Sequence, residues 1–131
     1  MVEIPKKKKP VKLTTITNRL DRLVSLIVRA RDRSCVICGS RENLQCGHFV
    51  SRVFTNTRWN LENCNCQCAS CNVKHELDAV PYLLFIELKY GKGTAEKLSR
   101  MAHETKKINR LERLELETHL KNVLSDLSGG N

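Results

Sequence analysis

The sequence predicts an α+β fold in which a small zinc-braced core lies between an N-terminal helix and C-terminal helices. Three observations predict it. Two Cys-x2-Cys pairs lie in the middle of the 131-residue chain, periodic apolar stripes lie on both sides of them, and two short stretches between them fit strands. A chain of this length suits one domain with a modest hydrophobic core.

The N-terminal segment is basic and then becomes amphipathic. Residues 1–12 contain four consecutive lysines, Lys6 to Lys9, whose like charges repel one another, so we predict a disordered basic tail. Over residues 13–33, apolar side chains recur at alternating three- and four-residue steps, which predicts an amphipathic helix. The arginines on its other faces could contact phosphate or form a solvated surface. The apolar positions are Leu13, Ile16, Leu20, Leu23 and Ile27.

The region after the cysteines is predicted to be helical over residues 80–127. One helix covers Val80 to Tyr90, and two glycines then interrupt the chain. Thr94 fits the N-cap of a longer helix, which has room for an interruption. The apolar stripe of that helix could pack on the first helix or on a second subunit, and the sequence does not decide between them. Residues 128–131 are predicted to be a frayed end.

The charge balance favours a polyanionic partner. Lys and Arg number 23 against 14 Asp and Glu, which gives a net charge of +9. Cations of this kind bind phosphates by releasing counterions, although a basic protein without a nucleic-acid role has the same composition. No apolar run is long enough to span a bilayer, and none follows the lysines as in a secretory signal. We therefore expect a cytoplasmic protein.

The two Cys-x2-Cys pairs predict one structural zinc ion. Cys35 and Cys38 form the first pair, and Cys68 and Cys71 form the second. Each pair places two thiolates on one tight turn, so four sulfurs can surround one tetrahedral ion. In a reducing compartment, cysteines are metal ligands and buried thiols more often than disulfides.

Three further cysteines, Cys46, Cys64 and Cys66, are left over. Cys64 and Cys66 are predicted to pack as small apolar side chains beside the zinc. Cys64 is the alternative to Cys68 as a ligand.

Between the pairs, Leu44 to Val50 and Asn63 to Gln67 could form strands, and a helix is predicted to begin near Ala69 or Ser70.

The segment that the cysteines frame resembles the HNH, or ββα-metal, nuclease motif. The spacing is His48-x14-Asn63-x8-Asn72, the variant that ends in Asn. A closer resemblance is to the NinG (Rap) family of lambdoid phage recombination proteins. Residues 34–100 carry it, through the runs Gln45-Cys-Gly-His48-Phe-Val-Ser-Arg52, Arg58-Trp59, Gln67-Cys68, Cys71-Asn72 and Tyr90-Gly-Lys-Gly-Thr-Ala-Glu-Lys-Leu98.

The resemblance implies a zinc-braced HNH core over residues 34–79 and a metal-dependent DNA endonuclease activity. His48 would be the general base, because an imidazole can accept a proton from water near neutral pH. Asn63 would hold the loop and His48 in place through hydrogen bonds to the backbone. Asn72 would offer a carbonyl oxygen to a catalytic Mg²⁺ or Mn²⁺ ion, since both are hard cations that prefer oxygen.

One position departs from the motif. Many HNH nucleases carry an Asp metal ligand directly before the histidine, but here the residue is Gly47. His75, one helical turn after Asn72, is the candidate to supply the missing ligand. It could instead contact phosphate or solvent.

The remaining expectations concern DNA. Arg52, Arg58 and Lys74 are predicted DNA contacts, and Trp59 is predicted to be a core anchor. By resemblance, the substrate would be a branched recombination intermediate, such as a Holliday junction or a D-loop. Cutting a two-fold symmetric junction would call for a homodimer, with the last helix as the candidate interface. The alternatives are a zinc-knuckle DNA-binding protein without catalysis and an HNH nuclease that acts on ordinary duplex DNA.

Overall fold

The structure is a computed structural model, and it describes residues 9–129. Most of the predicted basic tail, residues 1–8, lies outside the described residues, as do residues 130 and 131 of the predicted frayed end. Within the described range, no helix is long and apolar enough to cross a membrane.

The fold is α+β, mostly helical, with one two-stranded antiparallel sheet. The strands pair from Leu44 opposite Cys68 to His48 opposite Cys64. The elements, in chain order, are α1 (Leu13–Asp32), β1 (Leu44–His48), α2 (Thr55–Arg58), β2 (Cys64–Cys68), α3 (Ala69–His75), α4 (Val80–Tyr90), α5 (Thr94–His103) and α6 (Arg110–Gly129).

Strand β1 ends two residues earlier than the predicted stretch because a side chain takes over its pairing. The backbone N–H of Phe49 still donates to the Asn63 carbonyl at 2.9 Å, but the N–H of Val50 donates to Asn63 Oδ1 at 2.8 Å. The strand ladder therefore stops, and the chain turns away from the sheet into the loop that carries α2.

Three helix ends differ by a few residues from the prediction. Helix α1 ends at Asp32 because Arg33 takes a left-handed conformation with φ of 65°. Gly93, with φ of 93°, is the N-cap of α5, and Thr94 is its first residue. Helix α6 continues through Gly129, so residues 128 and 129 are helical and not frayed.

The predicted long C-terminal helix is two helices, α5 and α6, separated by residues 104–109. The side chain of Asn56, in α2, binds this interruption. Its Nδ2 donates to the carbonyls of Met101 and Lys106, each at 3.1 Å, and its Oδ1 accepts from the N–H of Ile108 at 2.9 Å. These hydrogen bonds satisfy backbone groups that would otherwise pair with one another in a continuous helix.

The main core forms where α1 packs on α6 within the same chain. Thus the apolar stripe of α6 lies against the first helix, one of the two packings that the sequence left open. Arg19 of α1 also donates to Glu117 of α6 at 2.9 Å. Trp59 is buried in this core, as predicted. The buried members of the cluster are Ile16, Leu20, Val24, Ile27, Val28, Trp59, Cys64 and Leu120.

A second, smaller core joins α4 and α5 to the sheet. Its buried members are Tyr82, Ile86, Ala95 and Leu98. The Tyr82 hydroxyl donates to the carbonyl of Gly47 at 2.8 Å, so α4 is fixed against β1 at the residue before His48.

Replacing Leu120 by Ala should lower the free energy of unfolding by about 2–5 kcal/mol, because Leu120 is 1% exposed and its loss leaves a cavity between α1 and α6. Leu111→Ala is the matched control on the same helix, at a side chain that is 65% exposed, and should change stability by about 0.5 kcal/mol or less. Urea unfolding of the zinc-loaded variants, followed by circular dichroism, measures both. Equal losses would show that the α1–α6 contact is not the main core.

Candidate active site

The four predicted zinc ligands come together. The sulfur atoms of Cys35, Cys38, Cys68 and Cys71 all lie within 4.8 Å of one another, so this cluster could hold a zinc ion. The first pair lies in the loop before β1, where Gly39, with φ of 80°, lets the chain turn and donate its N–H to the Cys35 carbonyl at 2.8 Å. The second pair lies at the junction of β2 and α3, so an ion here would join three segments.

The pKa values of two thiols in this cluster, Cys35 and Cys71, are shifted in opposite directions. Burial raises the pKa of Cys35, but backbone hydrogen bonds at Cys38 and Cys68 outweigh burial and lower it to about 7. Burial and the neighbouring thiols raise the pKa of Cys71 to about 12. A bound cation would favour the thiolate forms, because it offsets the repulsion between neighbouring thiolates.

The other three cysteines do not belong to this cluster, in which the ligand is Cys68 and not the alternative, Cys64. Cys64 and Cys66 are fully buried, and burial raises the pKa of both thiols, that of Cys66 to about 11. Cys46 and Cys64 instead lie within 4.8 Å of the His48 ring, where the three side chains form a second group.

His48, the last residue of β1, is held by a backbone carbonyl. Its Nε2 lies 2.8 Å from the carbonyl oxygen of Arg58. A carbonyl only accepts hydrogen bonds, so Nε2 carries the proton, and in the neutral ring Nδ1 is free to accept one. Burial lowers the pKa of His48 below its usual 6.5, an effect that the bond to Arg58 opposes in part. At neutral pH the ring is therefore an uncharged base.

Asn63 is fully buried and closes the loop between the strands. Besides accepting from Val50, it donates through Nδ2 to the carbonyls of Val50 and Thr57, each at 3.1 Å. Thr57 directly precedes Arg58, whose carbonyl holds His48. The hydrogen bonds of Asn63 therefore fix the loop that orients the imidazole, the arrangement that its predicted positioning role requires.

One cleft of about 370 Å³ brings four of the predicted site residues together. Asn72 lies in α3, and its Nδ2 donates to Gln45 Oε1 at 2.9 Å, which leaves the amide oxygen as the group available to a ligand. The cleft is lined by Cys46, His48, Phe49, Ser51, Arg52, Asn72, His75 and Glu76.

His75, at the end of α3, is held in the same way as His48. Its Nε2 lies 2.8 Å from the carbonyl oxygen of Phe49, so Nε2 carries the proton and Nδ1 is the free nitrogen. That Nδ1 is buried and finds no hydrogen-bond partner among the described residues. Such an atom is rare in a folded protein and requires an explanation.

The three predicted DNA contacts fall in different places. Arg52 lines the cleft with His48, and its side chain is 61% exposed. Arg58 instead forms a two-pronged ion pair with Asp21 of α1, with Nε and Nη2 at 2.9 and 2.7 Å from its two oxygens. Lys74 is exposed on α3 but does not line this cleft. Arg52 also contacts Asp21, since its Nη2 lies 3.4 Å from Oδ2, but this contact is longer than the 2.7 Å contact of Arg58. Arg52 is thus the arginine with the more available charge beside His48.

Sequence reasoning missed the residues that brace the site from a distance. Asp21 accepts from Arg58 and from Trp59 Nε1 at 2.7 Å. Arg31, expected to contact phosphate or solvent, donates to the Leu61 and Cys64 carbonyls at 2.9 and 3.0 Å. No local pattern separates these side chains from the other charges of α1, because their partners lie 30 or more residues away.

Comparison with known proteins gives one positive finding. A family model described as bacteriophage Lambda NinG protein matches residues 3–129. Searches among curated proteins and among solved structures returned no match.

We expect the purified protein to contain about one zinc ion per chain and Cys38→Ser to lose most of it, because three thiolates and a hydroxyl hold zinc poorly. Cys66→Ser, a cysteine of β2 outside the four-sulfur cluster, should retain the metal. Elemental analysis after gel filtration measures both. Loss of zinc from Cys66→Ser alone would contradict the assignment.

Proposed function

Since the chain belongs to the family of the bacteriophage Lambda NinG protein, we propose that it serves phage recombination as a metal-dependent DNA endonuclease that cuts branched intermediates. The family membership indicates the recombination role. The nuclease activity, its ββα-metal core and its branched substrate are inferences from the site.

The observation that carries the proposal is the shared cleft of His48, Asn72 and His75. Strands β1 and β2 and helix α3 occur in the order of a ββα-metal core, with the short helix α2 in the loop between the strands. His48 lies at the end of β1 and Asn72 lies in α3. A neutral base therefore faces the same space as a hard oxygen ligand and an unpaired ring nitrogen.

The protein's own groups account for water activation. Nδ1 of His48 takes a proton from the attacking water, and the carbonyl of Arg58 holds the imidazolium that forms. Asn63 keeps that carbonyl in position. Arg52, beside the base, neutralises a phosphate oxygen of the substrate.

A divalent ion fits the remaining groups of the cleft. Asn72 offers an amide oxygen, and His75 offers a buried nitrogen that no described residue satisfies. When bound, Mg²⁺ or Mn²⁺ would stabilise the charge that develops on the leaving oxygen.

The zinc ion has a structural role in this proposal. It would join the loop before β1 to the start of α3, and so fix the helix that carries Asn72 and His75 over the strand that carries His48. A core of this size has few other contacts to hold that geometry.

The partner would be DNA, bound through phosphate contacts at Arg52 and the net charge of +9. Symmetric cutting of a four-way junction would require two copies of the site, hence a homodimer.

A second candidate function, DNA binding without catalysis, is favoured by one observation. Gly47 stands where many HNH nucleases have an acidic metal ligand, and the cysteine cluster and the positive charge need no nuclease. An HNH nuclease for ordinary duplex DNA is the third reading.

The zinc-loaded protein should cut four-way junctions in Mg²⁺ or Mn²⁺ but not in EDTA, and His48→Ala should lower the rate by about 10²–10⁴-fold, the usual contribution of a general base. His119→Ala, an exposed histidine on α6, is the matched control and should cut normally. Gel assays on a junction, a flap and a linear duplex of matched sequence measure the rates.

The candidate functions predict different results in that cleavage experiment. Binding without cleavage in any metal would favour the non-catalytic candidate. Cleavage of the linear duplex as fast as the junction would contradict the branched substrate. An active His48→Ala variant would remove this histidine from catalysis.

The pH profile gives a separate test of the base. The neutral ring is the active form, so kcat/KM should fall as the pH drops through the pKa of His48. Burial places that pKa below 6.5, so the acid limb should lie below pH 6.5. Junction binding measured over the same range is the control. An acid limb above pH 7 would contradict a buried neutral His48 as the base.

A further inference from the structure

The side chain of Gln67, on the neighbouring strand, occupies the space that a side chain at Gly47 would need. A Cβ atom at this position would lie 2.6 Å from Cδ and 2.9 Å from Cγ of Gln67, and closer still to Oε1. Gly47 does not have a positive φ, the backbone conformation that would by itself favour glycine. The side chain of Gln67 therefore fills the space that an acidic side chain at residue 47 would enter.

The amide of Gln67 is itself unsatisfied. Gln67 is 1% exposed, and its Oε1 is buried with no hydrogen-bond partner among the described residues. Burying an amide oxygen without a partner costs about 1–3 kcal/mol in protein variants. An oxygen left in this state points to a group that the protein itself does not supply.

Both residues that carry such an atom line the same cavity. It is a space of about 70 Å³ between Gln67 and His75, whose Nδ1 is the other buried, unpaired atom of this region. The rest of the lining is Ile37, Cys71, Lys74, Asp78, Pro81 and Tyr82. His75 also lines the larger cleft that contains His48 and Asn72. An amide oxygen is a ligand that both Mn²⁺ and Mg²⁺ accept, and a ring nitrogen suits the transition metal Mn²⁺ better than Mg²⁺.

We infer that Gln67 supplies, through Oε1, the oxygen ligand that Gly47 cannot, and that it holds the divalent ion together with His75. This inference rests on the proposed nuclease function and identifies the residue that replaces the missing acid. In this arrangement the metal ligand lies on β2 and not on β1, and the Gln67 amide extends over Gly47. The exchange removes one negative charge, so the ion would depend more on phosphate oxygens of the DNA.

The alternative is an ordered water that bridges the two atoms, since the cavity is large enough for one. Water and Mn²⁺ are distinguished by direct measurement of metal binding. Mn²⁺ alone is the probe, and titration of the zinc-loaded protein followed by electron paramagnetic resonance counts the bound ions without any DNA.

Gln67→Met keeps the volume of the side chain and removes the oxygen, and it should weaken Mn²⁺ binding about tenfold or more. Gln67→Glu keeps an oxygen and adds charge, and it should bind Mn²⁺ at least as tightly as the wild type. Zinc content must stay at the wild-type level in both, because Gln67 precedes the zinc ligand Cys68.

A double variant tests the exchange between strands. Gly47→Asp alone should perturb the fold, because its Cβ collides with Gln67. Gln67→Ala removes all three colliding atoms, so Gly47→Asp combined with Gln67→Ala should fold and regain the Mn²⁺ affinity that Gln67→Ala alone loses. Gly47→Asn combined with Gln67→Ala is the matched control for packing, because it fills the same space with a neutral side chain and should bind Mn²⁺ more weakly than the Asp variant.

Failure of this inference is separable from failure of the proposed function. Wild-type Mn²⁺ affinity in Gln67→Met, or no Mn²⁺ uptake by the wild type, would overturn the ligand assignment even if the protein cuts junctions. Loss of Mn²⁺ in Gln67→Met and its rescue in the double variant would support the assignment even if no DNA is cut.

Discussion

Strand β2 is buried along its whole length, and the rest of the structure is arranged to satisfy it. A buried strand with polar side chains is stable only if those groups find partners. Asn65 Oδ1 accepts from Arg31 of α1 at 3.0 Å and from the Tyr90 hydroxyl of α4 at 2.6 Å. Asp32 accepts from the backbone N–H of Cys66 at 2.9 Å. These bonds fix the end of α1 and the end of α4 to the strand. Gln67 is the exception, because its Oε1 is buried without a hydrogen-bond partner among the described residues.

The candidate site combines two independent kinds of restraint. The cysteine cluster controls where α3 lies relative to β1. The amide of Asn63 and the ion pair between Asp21 and Arg58 control the loop on the other side, whose carbonyl orients His48. The imidazole is thus positioned from both sides by groups that do not touch substrate. The proposed nuclease would require such preorganisation from a domain of 131 residues.

Much of the site could be predicted from sequence because its signals are local or have a fixed spacing. Cysteine pairs constrain one another through tight turns, and the periodic stripe of α1 marks its buried face at Ile16, Leu20 and Ile27, although Leu13 is 44% exposed. The environment of Gly47 could not be predicted, because it depends on the strand register that places Gln67 beside it. The partners of Asp21 and Arg31 were also inaccessible, since each arises from packing between distant segments. The break between α5 and α6 is likewise set by Asn56, about 50 residues earlier in the chain.

The packing of α1 against α6 has a consequence for the order in which the molecule forms during synthesis. Helix α1 leaves the ribosome before α6, so the part of its apolar stripe that packs on α6 stays uncovered until residues 33–109 have also been made. Contacts as distant in sequence as Arg19 to Glu117 make the final closure slow and leave the stripe open to association in the interval. The cysteine cluster, complete at Cys71, can bind metal well before that closure. Metal binding would then fold the centre of the nascent chain before α1 packs against α6.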